Sequence, residues 1–265
     1  MVGIKSFSYI WVKSIRLKTP KIPSSDATNS IYYPSFIRIF YLTFFSNWTY
    51  TYFMQSKDLF IFDLDGTLVN AYRAIYASTL HILKAFDYPK QPFDDVLAKI
   101  GHGDENFVAE FVKPSEFDKA LKMYRDHHKQ AVIDHSKPLP YARWILYQLK
   151  RKGKQLAIGS NRPHLYTMLI LKKLDMLKYF DYVSCADTAG ALKPSPKLIN
   201  VVLKELNVKK DNAVFVGDMP VDVEAANRAK VEAVFVSHGV GNLKDVKQYK
   251  NKTVVKELKQ ILRFA

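Results

Sequence analysis

The stretch FIFDLDGTLV, residues 60–69, is an apolar run that abruptly places two aspartates, Asp63 and Asp65, one residue apart. Leu59 to Phe62 is continuously apolar and ends in turn-forming residues, the pattern of a parallel strand buried on both faces. Two like charges at the end of such a strand repel each other unless a positive group answers them.

Three further apolar runs share this character: Gln155 to Ile158, Ala213 to Val216 and Ala233 to Val236. Helical patterns lie among them, over Ala142 to Lys152, Leu165 to Leu174, Leu198 to Leu206 and Asp222 to Lys230. Strands alternating with helices of this length predict βαβ units, an α/β fold on a parallel sheet.

The first two strands are separated by a segment without strand character. Ile75, Thr79, Ile82, Leu83 and Phe86 fall at helical spacing, and Phe107, Phe111, Leu121 and Tyr124 suit further helices. This predicts an inserted helical domain over residues 70–138, hinged near Asn70 and near Pro138 and Pro140. Residues 57–69 and 139–265 then form the core.

Of the 265 residues, 48% are hydrophobic and 25% charged, which excludes a mostly disordered chain. The net charge of +15 could answer a nucleic acid, an anionic membrane surface or small anionic substrates, but its lysines are dispersed rather than in a dense block, so it reads as a solvated basic surface. No nucleic-acid partner is expected, nor a membrane partner for residues 57–265. The single cysteine, Cys185, rules out an internal disulfide, and a reducing, cytoplasmic setting is the default.

Residues 1–56 differ from the rest. They hold six basic residues and one acid, Asp26, and eleven of residues 31–54 are aromatic. The expectation is a leader outside the working protein, with Met54 as its natural start. A transit peptide or a membrane-surface attachment are the alternatives, whereas the short apolar run Phe36 to Phe45 falls below the length of a spanning helix.

Ligands of open parallel sheets bind outside the carboxyl ends of the strands, and the unusual polar residues fall there. Asp63 and Asp65 follow the first run, Ser160 and Asn161 the second, and Asp218 and Asp222 the third; Lys193 precedes a helix between the last two. Converging carboxylates need a cation, and hard oxygen ligands with room for water suit magnesium. A carboxylate is also a nucleophile toward phosphorus. Phosphoryl transfer then needs positioning and charge neutralisation, which Lys193, the Ser160 hydroxyl and nearby amides can supply. Asp65 can reach the leaving-group oxygen as an acid and later activate water as a base.

DLDGT (63–67), SN (160–161), KPSP (193–196) and GDMPVD (217–222), in that order, resemble the four motifs of the haloacid dehalogenase superfamily of phosphohydrolases. The resemblance runs from Lys57 to the C-terminus. It implies a Rossmann-like parallel sheet core with an inserted α-helical cap, Asp63 as nucleophile and Asp65 as acid/base. It also implies magnesium held by Asp63, the Asp65 carbonyl and Asp218, with Asp222 supporting the metal shell, and phosphate held by Ser160, Asn161 and Lys193. The insert resembles the cap of the phosphoglycolate phosphatase-like branch, and IGHGDENFV (100–108) its substrate-specificity loop, which makes Gly101, His102 and Gly103 candidate substrate contacts. Ser160 stands where threonine is commoner, and residues 139–142 lack a glycine this branch often carries.

The expected function is a magnesium-dependent phosphatase acting on a small phosphorylated metabolite, a phosphoglycolate-like or sugar-phosphate substrate, through an aspartyl-phosphate. The alternatives are a phosphomutase of the same superfamily and a non-catalytic binding module on the same fold. A dehalogenase is disfavoured by Asp65, which serves an oxygen leaving group. Amine-forming phosphonate cleavage requires a cap lysine over the substrate, for which Lys84 and Lys99 are candidates. His127, His128 and His135 read as a solvated helix face, since adjacent histidines on a helix point apart and no carboxylate spacing supports a metal site.

Overall fold

The computed structural model describes residues 56–265, so the expectations for residues 1–55 lie outside the described residues. Strand β1 (Leu59–Phe62) is followed by the short β2 (Val69–Asn70) and four helices: α1 (Tyr72–Ala85), α2 (Phe93–Leu97), α3 (Gly103–Ala109) and α4 (Phe117–His135). The chain returns through β3 (Lys137–Pro138), and β2 pairs with β3 antiparallel, Val69 opposite Pro138 and Asn70 opposite Lys137. This pair forms a neck joining the outgoing and returning chain.

Beyond the neck come α5 (Ala142–Arg151), β4 (Gln155–Ser160), α6 (His164–Lys173), β5 (Tyr182–Cys185), α7 (Ala186–Ala189) and α8 (Lys197–Glu205). Then follow β6 (Ala213–Gly217), α9 (Pro220–Ala229), β7 (Glu232–Val236) and β8 (Lys252–Val255), with a final 3-10 segment, Leu258–Phe264. The six long strands make one parallel sheet in the order β5-β4-β1-β6-β7-β8. The chain lays β4 and β5 on one side of β1, then crosses to lay β6 to β8 on the other. That change of direction opens a crevice at the carboxyl ends of β4, β1 and β6.

Alternate residues of β1 feed opposite layers. Phe60 and Phe62 pack with Leu156, Val214 and Ile145, while Leu59 and Ile61 pack with Phe215, Ile199 and Val223. Each of these β1 side chains is fully buried, and such burial stabilises the sheet by about 2 kcal/mol per residue. The point at which the chain leaves β1 at Asp63 is therefore fixed from both sides. The predicted parallel α/β sheet is present, and the four apolar runs are β1, β4, β6 and β7. The edge strands β5 and β8 were not predicted, because YVSC and KTVV are short and mix polar with apolar residues, as half-covered edges do.

The helices between β2 and β3 form a cap with its own core. Ile75, Ile82 and Leu83 of α1 meet Leu121 and Tyr124 of α4 and Phe107 of α3. The helical spacing read from these residues is the spacing of their buried faces. Among the described residues no helix is long and apolar enough to cross a membrane.

Candidate active site

The parallel ladder extends one residue past β1, since the Asp63 amide donates to the Val216 carbonyl at 2.8 Å. Asp63 is thus held at the sheet's edge and buried. Gly66 then turns the chain at φ +81°, and its amide donates to the Val69 carbonyl at 2.8 Å. A Cβ at Gly66 would lie 2.2 Å from the Tyr72 hydroxyl and 2.4 Å from an Asp218 carboxylate oxygen. Only glycine satisfies both that conformation and that approach, so the DLDGT turn folds directly over the acids of β6.

Asp218 leaves β6 with both oxygens engaged: Oδ1 accepts from Thr67 Oγ1 at 3.0 Å and Oδ2 from the Val240 amide at 3.1 Å. Asp222 sits in the first turn of α9, where its Oδ2 accepts the Met219 amide at 2.9 Å. It therefore caps its helix as well as facing the site. Lys193 Nζ lies 2.5 Å from Asp63 Oδ1 and 2.7 Å from Asp222 Oδ1, with its side chain 2% exposed.

Asp63, Asp218 and Asp222 bring carboxylate oxygens within 4.8 Å of one another, all buried. Three carboxylates against the single ammonium of Lys193 leave a formal deficit of two positive charges. Burial pushes Asp63 up to about 7, although Lys193 pulls it down, and Asp222 adds to the rise. Asp218 is also raised well above the ordinary range, first by burial and then by Asp222 and Asp63. The donor set is hard oxygen and the missing charge is that of one divalent cation, so these residues fit magnesium.

Metal-stripped protein titrated with Mg2+ is therefore expected to melt higher. An ion at 100 times its dissociation constant adds about 2.7 kcal/mol, or roughly 5–11 °C for a domain of this size. The Asp218→Asn variant should lose most of that shift. Equal melting temperatures with and without the ion in wild-type protein would exclude a magnesium site.

Ser160 ends β4, and its buried Oγ accepts the Arg162 amide at 3.2 Å. Asn161 reaches the site, but its carboxamide is already engaged. Oδ1 accepts the Lys193 amide at 2.6 Å, and Nδ2 donates to the Gly101 carbonyl at 2.9 Å and the Lys193 carbonyl at 3.2 Å. Its side chain joins the Lys193 loop to the cap loop.

A cavity of about 90 Å3 lies beneath the cap, reached by Asp63, Asp65 and Lys193 from the core and by Phe107, Tyr124 and His128 from the cap. Gly101 and Gly103 line it, at φ +122° and +81°. His102 does not: it is exposed and borders a neighbouring cleft, because the loop turns its side chain outward. Nor does either cap lysine line the cavity; Lys99 pairs with Glu110 at 3.0 Å.

Residues that the sequence reading passed over complete the site. Arg162 is buried and grips Asp65 with a fork, Nε to Oδ2 at 2.7 Å and Nη2 to Oδ1 at 3.0 Å. Its Nη1 lies 2.7 Å from His128 Nε2. His128 is not on a solvated face: it is 1% exposed, stacked on Tyr124 and edge-on to Tyr166. It shares the α4 stripe of Leu121, Tyr124, Ala131 and Val132, a periodicity that marks the buried side.

A guanidinium offers only donors, so His128 Nε2 must accept and its ring proton falls on Nδ1, 2.9 Å from Ser78 Oγ. Burial, and then the Arg162 charge, keep this imidazole far below its usual pKa and neutral. Tyr72, at the start of α1, is buried with no hydrogen-bond partner for its hydroxyl among the described residues; burial and then Asp218 push its pKa up.

This constellation at a sheet switch point, under an inserted cap, is that of a hydrolase family. The family model described as haloacid dehalogenase-like hydrolase matches residues 60–236, and the chain belongs to that family. Its relatives include the phosphoglycolate phosphatase of Aquifex aeolicus (strain VF5), 31% identical over 179 residues, 68% of this chain and 84% of the relative. The phosphoglycolate phosphatase of Colwellia psychrerythraea is 28% identical over 206 residues, 74% of this chain and 91% of the relative. Among solved structures, that of a predicted phosphoglycolate phosphatase from Haemophilus somnus 129pt aligns with a TM-score of 0.73 at 24% identity, covering 79% of this chain and 98% of that chain. The latter likeness is one of fold.

Proposed function

We propose that this chain is a magnesium-dependent phosphatase that hydrolyses a small phosphate monoester through an aspartyl-phosphate on Asp63. The reading takes residues 70–138 as the cap and 57–69 with 139–265 as the core. The observation that carries it is the buried Asp63 carboxylate, held by Lys193 at 2.5 Å within the cluster of Asp218 and Asp222.

In this reading Asp63 attacks phosphorus with the oxygen not held by Lys193. Lys193 Nζ, the Ser160 hydroxyl and the Asn161 amide take the charge on the phosphoryl oxygens. Asp65 gives a proton to the departing oxygen, then takes one from the water that hydrolyses the aspartyl-phosphate. Asp63, the Asp65 carbonyl and Asp218, with support from Asp222, would hold magnesium, which would supply charge neutralisation for the transferring group. The aromatic cap side chains exclude bulk water.

The small cavity and the names of the relatives support phosphoglycolate as the first candidate substrate, with small sugar phosphates next. No nucleic-acid or membrane partner enters the reading. Purified protein with Mg2+ is expected to release inorganic phosphate from such monoesters and to stop when the ion is chelated. An isomer formed from a hexose phosphate without free phosphate would indicate a mutase instead. Absence of turnover across the panel would favour a binding module.

A further inference from the structure

We propose that Arg162 is a positioning residue for the second half of the reaction: it orients the Asp65 carboxylate as the base that hydrolyses the aspartyl-phosphate, and anchors it to the cap through His128. The proposal rests on the assignment of Asp63 and Asp65 made above.

Both Asp65 oxygens accept from the fork, and a guanidinium cannot accept a proton in return. The form held is therefore the carboxylate, with its rotation fixed by two parallel charge-assisted hydrogen bonds. With donors facing both oxygens, the geometry suits a group that receives a proton, the base half of the cycle.

The fork is itself fixed from both domains. On the core side, the Arg162 amide donates to Ser160 Oγ at 3.2 Å. On the cap side, Nη1 meets His128 of α4 at 2.7 Å, and His128 meets Ser78 of α1 at 2.9 Å. The guanidinium sets the His128 tautomer, and that tautomer leaves Nε2 as an acceptor aimed at the guanidinium alone. One side chain thus spans both domains, and the orientation of Asp65 follows the seating of the cap.

In the step concerned, a water proton passes to an Asp65 oxygen as the water oxygen bonds to phosphorus. The bond from phosphorus to the Asp63 oxygen breaks, its electron pair returns to the Asp63 carboxylate, and phosphate leaves. A misaligned Asp65 slows this step. With an aryl phosphate, whose leaving group needs no proton, formation of the aspartyl-phosphate proceeds unaided.

Arg162→Lys keeps the charge but cannot fork. With an aryl phosphate it is expected to lower kcat by about 10- to 100-fold, to lower KM in parallel, to leave kcat/KM nearly unchanged, and to show a burst of aryl alcohol with trapped phosphoenzyme. His128→Leu, which removes the acceptor facing Nη1, should show a weaker burst, and His128→Gln, which retains one, should show a smaller burst than His128→Leu. Should Arg162→Lys fold poorly, the two His128 variants carry the same readout.

Equal losses in kcat and kcat/KM without a burst would make Arg162 a general scaffold residue and overturn the proposal, as would wild-type kinetics in both Arg162→Lys and His128→Leu. Asp65→Asn separates the two levels: a burst there upholds Asp65 as the base whatever Arg162 does. Its absence removes the assignment and the proposal together.

Discussion

Replacing Asp63 with asparagine is expected to remove turnover, by about four to six orders of magnitude, while the protein stays folded. The carboxamide has the shape of the carboxylate, and its oxygen can still accept from Lys193 Nζ, which also keeps Asp222 at 2.7 Å. What is lost, in the proposed mechanism, is the anionic oxygen that would bond to phosphorus. Phosphate release and phosphoenzyme trapping both check this. Substantial turnover in the variant would refute the nucleophile assignment.

The same variant carries a stability signature that does not depend on activity. Burial raises the folded-state pKa of Asp63 from 3.8 to about 7 in the metal-free protein. A group raised on folding gives its full stabilisation below its unfolded pKa and loses it as pH rises through the folded value. Metal-free wild type should therefore lose melting temperature relative to Asp63→Asn between about pH 4 and pH 7. Saturating Mg2+ should abolish the difference in slope, because the ion answers the charge that burial penalises. Parallel melting profiles in chelator would contradict the account of this site as three acids sharing too little positive charge.

How much of this was legible beforehand depended on how many residues carried each signal. The central strands announce themselves because burial on both faces demands unbroken apolar runs, as in Leu59–Phe62 and Ala213–Gly217. Asp63, Asp218, Asp222 and Lys193 were found because each follows or precedes a recognisable element and the fold gathers strand ends at one place. Arg162 was hidden because a lone arginine after Asn161 looks like any surface cation, and only its distant partner Asp65 gives it meaning. His128 was misjudged by comparing it with its neighbour His127 rather than with Tyr124 and Val132, its companions on the buried stripe. The engagement of the Asn161 carboxamide by Gly101 and Lys193 involves loop backbone from two regions, which no local pattern encodes.

Lys193→Met should produce the second large effect, and it separates electrostatics from packing. Methionine nearly matches the stem in length but brings no charge, so Asp63 and Asp222 lose the ammonium between them. Burial alone pulls the Lys193 ammonium down, yet Asp222 and Asp63 outweigh it and leave its pKa raised, so the ammonium stays charged between them. Removing one partner of a buried ion pair costs about 3–5 kcal/mol, and losing a preorganised donor to the transferring phosphoryl group costs roughly 100- to 1,000-fold in turnover. The two losses should respond differently to Mg2+. The ion shares the same carboxylates, so it should recover much of the variant's melting temperature. In the proposed mechanism it does not replace the Lys193 donor to the phosphoryl group, so turnover should stay low. A variant equally destabilised with and without Mg2+ would show that lysine and metal do not answer the same charge.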